Sequence, residues 1–178
     1  DFEAKQEMVT TFESNILDNN NMGFYFDWVA NHNVFRKNIL TGNDYGVYHD
    51  SQWKGDTYNN AFIDNEVYNN YYGFYLGASV DFILLKNNIF NNHAGIRLEK
   101  SYNNTVNQNN VINNTYGIYV NGDNNTFRRN NVINNTRGIE ISGANNTIFH
   151  NNFINNTVQA NYPNVGNSAN QMNYSTLV

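Results

Sequence analysis

The side chains best suited to chemistry lie in two irregular stretches near the start of the chain, "DWVANHN" and "HDSQWKGDTYNN". They hold both tryptophans, Trp28 and Trp53, together with Asp27, Lys54 and Asp56. Tryptophan offers a large flat apolar ring, and carboxylates accept hydrogen bonds from hydroxyls, which are the two contacts that a sugar needs. Insertions on one face of a repeat protein commonly build a binding site, so these stretches predict substrate-binding residues.

The second stretch also supplies candidate catalytic residues. His49 interrupts a column that is otherwise apolar, so it is either a hydrogen-bonded core residue or part of a site. Lyase or epimerase chemistry on uronic acids needs a base and a charge-stabilising cation. His49 with Lys54 or Arg36 could fill these roles, and Asp50 with Asp56 could hold calcium.

Hydrolysis is an alternative, because glycosidases use two carboxylates roughly 5 to 9 Å apart. Asp27 and Asp50 occupy the same column on adjacent repeats, so their separation could be of that order. None of these spacings is an enzyme signature, and whether the chain is an enzyme stays open.

The elements that position these residues follow from an internal repeat of about 22 residues. Its marker is a glycine that recurs at Gly23, Gly46, Gly73, Gly95, Gly117 and Gly138, with Gln159 in the seventh copy. Three columns, at eleven and six residues before the glycine and one after it, are aliphatic or aromatic in nearly every copy. Two further columns, eight and three residues before it, are asparagine in all seven copies.

This pattern predicts an all-β protein. The repeat is too short for two helices, and apolar residues alternate around each glycine as in a strand. Each copy therefore forms three short strands, and stacked copies form three parallel sheets. Asparagine suits the corners because it tolerates left-handed backbone angles and its amide can bond to the amide of the next copy. We predict a right-handed parallel β-helix of about seven rungs.

The strand that begins at the glycine has the richest outer face. Tyr25, Tyr48 and Tyr75 follow the glycine by two residues, and Asp27, Asp50 and Glu99 follow it by four. Aromatic rings beside carboxylates are typical of a polysaccharide groove. The alternative is that tyrosine on an exposed strand simply favours its cross-strand neighbours.

The stretches "NNTFRRNNVINNTRGIEISGANNT" and "NNTIFHNNFINNT" resemble the repeats of the NosD-like family, which overlaps the carbohydrate-binding and sugar-hydrolysis domains. The resemblance implies a right-handed β-helix over essentially the whole chain. It also makes copper a candidate ligand, since NosD assists maturation of the copper centre of nitrous oxide reductase. Family members often continue into a Trp-rich and an acidic segment, so the resemblance implies a fragment of a longer protein. We expect one domain over 1–178, with regular repeats over 11–157 and an irregular segment over 158–178.

Composition limits the partners. The net charge of −5 and pI near 5.2 argue against nucleic acid, and no apolar run is long enough for a membrane-spanning helix. The chain has no cysteine and no histidine cluster, so copper is an unfavoured ligand. No other cofactor is evident from the sequence, although calcium stays possible. Open sheet edges at the two ends could pair with another chain.

We therefore expect an extracellular or cell-surface module, periplasmic in a Gram-negative bacterium, that binds and could process polysaccharide. One alternative is a structural surface-layer or adhesin module without catalysis. The other is a copper-maturation scaffold like NosD.

Overall fold

The computed structural model describes residues 9–26, 30–50, 57–162, 166–170 and 173–175. Within them all regular structure is β-strand, and no helix there is long and apolar enough to cross a membrane. The strands form three parallel sheets of eight, eight and seven strands in which each strand pairs with those one rung before and after. The chain is thus a right-handed parallel β-helix with seven complete three-strand rungs, as the repeat predicts.

The strands recur in the same order in every rung. The first sheet contains β1 (Thr11–Glu13), β4 (Val34–Arg36), β7 (Ala61–Ile63), β10 (Ile83–Leu85), β13 (Thr105–Asn107), β16 (Thr126–Arg128), β19 (Thr147–Phe149) and β22 (Ser168–Asn170). The second contains β2 (Ile16–Asp18), β5 (Ile39–Thr41), β8 (Glu66–Tyr68), β11 (Asn88–Phe90), β14 (Asn110–Ile112), β17 (Asn131–Ile133), β20 (Asn152–Ile154) and β23 (Asn173–Ser175). The third contains β3 (Met22–Tyr25), β6 (Tyr45–Asp50), β9 (Tyr72–Gly77), β12 (Ala94–Glu99), β15 (Tyr116–Asn121), β18 (Arg137–Ile141) and β21 (Val158–Asn161).

The three apolar columns of the sequence are inward-facing rows of the core, and the third sheet adds a fourth row that includes His49 and Leu76. In the first sheet, for example, Phe35 pairs with Phe62, which pairs with Leu84, and all three are buried. Each strand places one or two side chains inward because successive side chains point to opposite faces. The core is therefore a stack of like residues, one layer per rung.

The two predicted asparagine columns form continuous ladders at two corners. In the first ladder the backbone N–H and the Nδ2 of Asn87 both donate to Oδ1 of Asn109, at 2.9 and 3.0 Å. The same Nδ2 also donates to the carbonyl oxygen of Phe62, 3.0 Å away. A buried amide that is bonded to the rungs on both sides leaves few polar groups unsatisfied and holds adjacent rungs in register.

A third ladder, which the repeat analysis missed, lies just before the first-sheet strands. It consists of Asn33, Asn60, Asn104, Asn125, Asn146 and Asn167. Phe82 occupies its place in the fourth rung, and this aromatic residue hides the column in the sequence. The backbone N–H of Phe82 still donates to Oδ1 of Asn104, at 2.8 Å.

At each corner, two neighbouring residues share the two roles that were expected of a single asparagine: one takes the left-handed backbone angle, and the next makes the amide hydrogen bonds. The residue before each first-ladder asparagine takes the left-handed angle, as at Lys37 (φ 53°), Lys86 (φ 57°) and His150 (φ 56°). The ladder asparagines themselves have no positive φ. Before the second ladder the left-handed residue is itself asparagine in most rungs, as at Asn69 (φ 56°) and Asn113 (φ 56°). Asparagine therefore does take the expected left-handed angle, but in the position before the ladder and not in the ladder itself.

The segment over 158–178, expected to be irregular, continues the helix in its described part. β21 extends the third sheet by pairing with β18, and β22 and β23 extend the other two. Gln159 takes the glycine position here, and its Oε1 accepts a hydrogen bond of 2.8 Å from Nδ2 of Asn156. Gln159 therefore supplies an acceptor to Asn156, the last asparagine of the second ladder among the described residues.

Candidate functional site: a hollow on the third sheet

The outer face of the third sheet carries two rows of side chains in register. The first row is Met22, Tyr45, Tyr72, Ala94, Tyr116 and Arg137. The second row is Tyr25, Tyr48, Tyr75, Arg97, Tyr119 and Glu140. We call these two rows the tyrosine face. Parallel pairing brings equivalent side chains to about 4.8 Å spacing, so rings on adjacent rungs are close enough to stack.

The rings in the early rungs pack on one another. Tyr45 stacks on Tyr72 with ring centroids 5.1 Å apart, and Tyr48 stacks on Tyr75 at 5.4 Å. Tyr72 meets Tyr75 edge to face at 5.4 Å, which links the two rows. The rings form a continuous aromatic surface, of which Tyr25 is the most exposed member, at 56%.

The aromatic row is broken at Ala94, and the break forms a hollow. The Ala94 hollow has a volume of about 270 Å³. Its lining consists of Tyr72, His93, Ala94, Arg97, Tyr116, Tyr119, Arg137 and Glu140. The small side chain of Ala94 forms the floor, and Tyr72 and Tyr116, one rung before and one after it, form opposite walls.

Two ion pairs supply polar groups in and beside the hollow. Nε and Nη2 of Arg97 lie 3.2 and 3.0 Å from Oε2 of Glu99, whose Oε1 accepts a bond of 2.7 Å from Asn121. Nη1 of Arg137 lies 2.7 Å from Oε2 of Glu140. Each pair presents guanidinium donors and carboxylate acceptors side by side.

Aromatic rings hold the two guanidiniums in place. The Arg97 guanidinium carbon lies 4.8 Å from the ring centroid of Tyr119 and 5.6 Å from that of Tyr75. Arg137 lies 5.5 Å from the ring of Tyr116. Cation–π contacts of this kind contribute about 0.5–1 kcal/mol each at exposed sites, so these side chains are ordered before any ligand arrives.

The tyrosines of the early rungs keep their protons firmly. Desolvation raises the pKa of Tyr48 and of Tyr75, and the charge of Asp50 raises both further. Desolvation and the neighbouring Tyr72 raise the pKa of Tyr45. At neutral pH these phenols are therefore hydrogen-bond donors rather than bases.

The structure places several predicted residues on or beside the tyrosine face. Tyr25, Tyr48 and Tyr75 belong to its second row, and Glu99 holds Arg97 next to the hollow. Asp50 is exposed at the end of β6, and its carboxylate lies over Gly77, where a Cβ would collide with it. Asp27, Trp28, Trp53, Lys54 and Asp56 lie outside the described residues.

His49 lies in the core, which corrects the prediction that it is a catalytic base. Its side chain is fully buried, and its ring stacks on Phe26 with centroids 5.0 Å apart and planes 3° from parallel. Its Nδ1 is 3.0 Å from the carbonyl oxygen of Phe26. Since side chains alternate along β6, Tyr48 points outward and His49 inward. A ring enclosed in this way cannot contact a polymer on the outer face.

Arg36, the predicted alternative to Lys54, is also away from the third sheet. It lies on β4 in the first sheet, where Nη2 is 2.7 Å from Oε2 of Glu13. The structure therefore does not bring Arg36 and His49 together.

The hollow includes residues that sequence reasoning did not select as site residues. His93 and Arg137 line it, yet neither stood out by type or spacing. The available signal was Ala94, the one small residue between Tyr72 and Tyr116 in a row of large side chains.

The described residues do not fit a copper centre. Copper favours His, Met and Cys ligands, and the chain has no Cys. The described part contains no group of three or more His, Asp or Glu that could hold a metal ion. His93 instead packs on Tyr71 at 4.5 Å and His32 on Tyr58 at 5.2 Å. The expected calcium pair of Asp50 and Asp56 extends beyond the described part, so it stays a prediction.

Comparison with known proteins identifies a family and the fold. Residues 56–176 match the family model described as "Periplasmic copper-binding protein (NosD)". No curated protein matches the sequence. Among solved structures, the A-module of mannuronan C-5 epimerase AlgE4 from Azotobacter vinelandii is similar, with a TM-score of 0.74 and 13% identity over 96% of this chain and 55% of that one.

The periplasmic alginate epimerase AlgG is also similar, with a TM-score of 0.67 and 20% identity over 92% of this chain and 44% of that one. The chain thus spans about half the length of these structures. At this level of identity the likeness shows a shared β-helix fold.

Proposed function

We propose that this chain, which belongs to the NosD family, binds polysaccharide along the tyrosine face and seats a sugar ring in the Ala94 hollow. The observation that carries the proposal is the hollow itself. Tyr72 and Tyr116 stand two rungs apart, at about twice the 4.8 Å strand spacing, with only the small Ala94 between them. That gap is about as wide as one flat ring needs, and a ring seated there would lie above Ala94, which is itself only 3% exposed.

The chemistry of the lining suits a sugar. Tyrosine rings provide apolar faces for the C–H surfaces of a pyranose, and their hydroxyls provide hydrogen bonds. The Arg97–Glu99 and Arg137–Glu140 pairs offer donors and acceptors to sugar hydroxyls at the rim. Since these groups already contact one another, binding orders few additional side chains and costs little conformational entropy.

The shape of the face suits a polymer. Aromatic side chains continue from the hollow towards the first rung through Tyr45, Tyr48 and Tyr25. A polysaccharide seated at Ala94 can therefore extend along the helix axis over further rings. Rigid, repeated strands position these subsites more accurately than loops do.

The similar proteins support this proposal and a location outside the cytoplasm. The two structural neighbours are named as epimerases of mannuronan and alginate, which are polysaccharides. The family description names a periplasmic protein, and AlgG is named as a periplasmic epimerase. We propose accordingly that the chain works at the cell surface or in the periplasm.

Binding, rather than turnover, is the function that the described residues support best. His49 is enclosed in the core, and the raised pKa values of Tyr48 and Tyr75 disfavour phenolate bases at neutral pH. Proton abstraction needs a group with a pKa near the working pH within reach of the substrate. The side chains of the tyrosine face are instead suited to holding a bound ligand through fixed contacts.

Filling the hollow tests the proposal. In Ala94→Tyr a ring stacks between Tyr72 and Tyr116, as tyrosines do in adjacent rungs, and occupies the sugar position. We expect at least a tenfold loss of affinity for bound polysaccharides in affinity electrophoresis. Ala61→Tyr is the matched control, because Ala61 faces outward on the first sheet and is partly exposed. Unchanged binding by Ala94→Tyr would refute the hollow as the site.

A further inference from the structure

We infer that the polysaccharide bound at the Ala94 hollow is uncharged, made of neutral sugars rather than uronic acids. The inference rests on the proposed binding function and names its ligand class. It separates this chain from what the names of its structural neighbours suggest, because mannuronan and alginate are polyanions.

The charged side chains in and beside the hollow are paired. Arg97, Arg137 and Glu140 line the hollow, and Glu99 lies beside it. Arg97 forms an ion pair with Glu99, and Arg137 forms one with Glu140. The Arg97 pair is held on both sides, since Asn121 donates to the second oxygen of Glu99. The described site therefore carries no uncompensated positive charge for a ligand carboxylate.

The rest of the sheet adds negative charge. Within the strands of the third sheet, the ionised outward side chains are Asp50, Glu99, Glu140, Arg97 and Arg137, which sum to −1. Asp44, directly before Tyr45, adds a negative charge, which Lys100, directly after Glu99, offsets, so the sum stays at −1. The whole chain has a net charge of −5. A polymer with one carboxylate per sugar would approach against this field.

A ligand carboxylate that accepts from a guanidinium N–H left free by the ion pair would share that arginine with Glu99 or Glu140. The two carboxylates would then lie beside each other, and like charges at that distance repel. A hydroxyl meets no such repulsion, because it donates to a free carboxylate lone pair and accepts from a free guanidinium N–H. Paired Arg and Glu side chains therefore match hydroxyl-rich neutral sugars.

The test compares polymers that differ only in their carboxylates. Alginate and polygalacturonate are each measured beside their carboxyl-reduced neutral forms, together with neutral mannan, xylan and β-glucan, at low and high salt. We expect the neutral member of at least one pair to bind at least tenfold more tightly than its parent, with affinity nearly independent of salt. Tighter binding of the polyuronate, weakening as salt rises, would overturn the inference while leaving the binding function intact.

A charge variant sharpens the comparison. Glu99→Gln keeps an oxygen acceptor for Asn121 but leaves Arg97 with an unpaired charge, so polyuronate affinity should rise severalfold and become salt-sensitive. An unchanged ratio of polyuronate to neutral affinity in a folded variant would contradict the role of the ion pair. Failure of wild type to bind any polymer of the panel would instead overturn the proposed function, and the inference with it.

Discussion

The buried corners and the tyrosine face are built on the same repeat, yet they differ in how strictly it is kept. In the first ladder, Asn65, Asn87 and Asn109 repeat the same bonds at 2.9 to 3.0 Å. On the face, the equivalent positions change from Tyr72 to Ala94 and back to Tyr116. Identical residues mark where the fold is stabilised, and the departure at Ala94 marks the position where we propose that a ligand binds.

The physical reason is the number of partners at each position. A ladder asparagine bonds to the rungs before and after it, so one substitution leaves buried polar groups unsatisfied in both neighbours. A side chain on the face contacts its neighbours only along one exposed surface. Variation is therefore costly at the corners and inexpensive on the face.

The largest expected effect is at a ladder asparagine in the middle of the stack. Asn109→Ala removes the Nδ2 bonds to Leu84, Asn107 and Asn130 and the acceptor used by Asn87. At about 1–3 kcal/mol for each unsatisfied buried group, we expect the free energy of unfolding to fall by at least about 3 kcal/mol in urea denaturation.

The adjacent residue provides the control. Asn110 is exposed and accepts a single bond from Asn131, so Asn110→Ala should change stability by no more than about 0.5 kcal/mol. Equal effects of the two substitutions would break the distinction between buried ladder and exposed strand residue.

The glycine column should show the next largest effect. A Cβ at Gly95 would lie 2.8 Å from the carbonyl oxygen of Gly117 and 3.1 Å from Val111. Because a backbone atom of the next rung cannot move aside easily, we expect Gly95→Ala to lower unfolding free energy by about 1–3 kcal/mol in thermal or urea unfolding. Stability equal to wild type would contradict close inter-rung packing as the reason for glycine.

Gln159→Ala is the control, because the glycine column already has a Cβ at this position. It should lower the free energy of unfolding by only about 1 kcal/mol, through loss of the hydrogen bond to Asn156.

The smallest expected effect is in the titration of the tyrosine face. Tyr45, Tyr48 and Tyr75 have pKa values raised above 10.0, so the folded state holds these protons more tightly than the unfolded state. Their contribution to stability is present below pH 10 and is lost as pH rises through the folded pKa. Ultraviolet titration should show that one group of tyrosines ionises at higher pH than the others. Tyr75→Phe should reduce the absorbance change of that group. Ionisation of all tyrosines at the value for free tyrosine would contradict partial burial of these rings.

The sequence predicted the scaffold well because the scaffold is repeated. Apolar columns such as that of Phe35 and Phe62, and both asparagine ladders, recur often enough to fix sheets and register. The third ladder escaped because Phe82 interrupts it. Local periodicity could not reveal that left-handed angles fall on residues such as Lys37 rather than on the ladder.

The site was less accessible to sequence reasoning. The tyrosine rows were visible, but the depth of the hollow depends on how Tyr72 and Tyr116 orient around Ala94, which spacing does not give. Residue type instead favoured the insertions around Trp28 and Trp53 and the unusual His49 in an apolar column. An unusual residue type indicates an unusual environment, and for His49 that environment is an aromatic core.

The most direct test is a crystal structure of the protein with an oligosaccharide from the polymer that it binds most tightly. The account predicts a sugar ring over Ala94 in contact with Tyr72 and Tyr116, with hydroxyls bonded to the Arg97–Glu99 pair. A ligand seated at the early-rung turns around Trp28 and Trp53, or on another sheet, with the Ala94 hollow free, would contradict it.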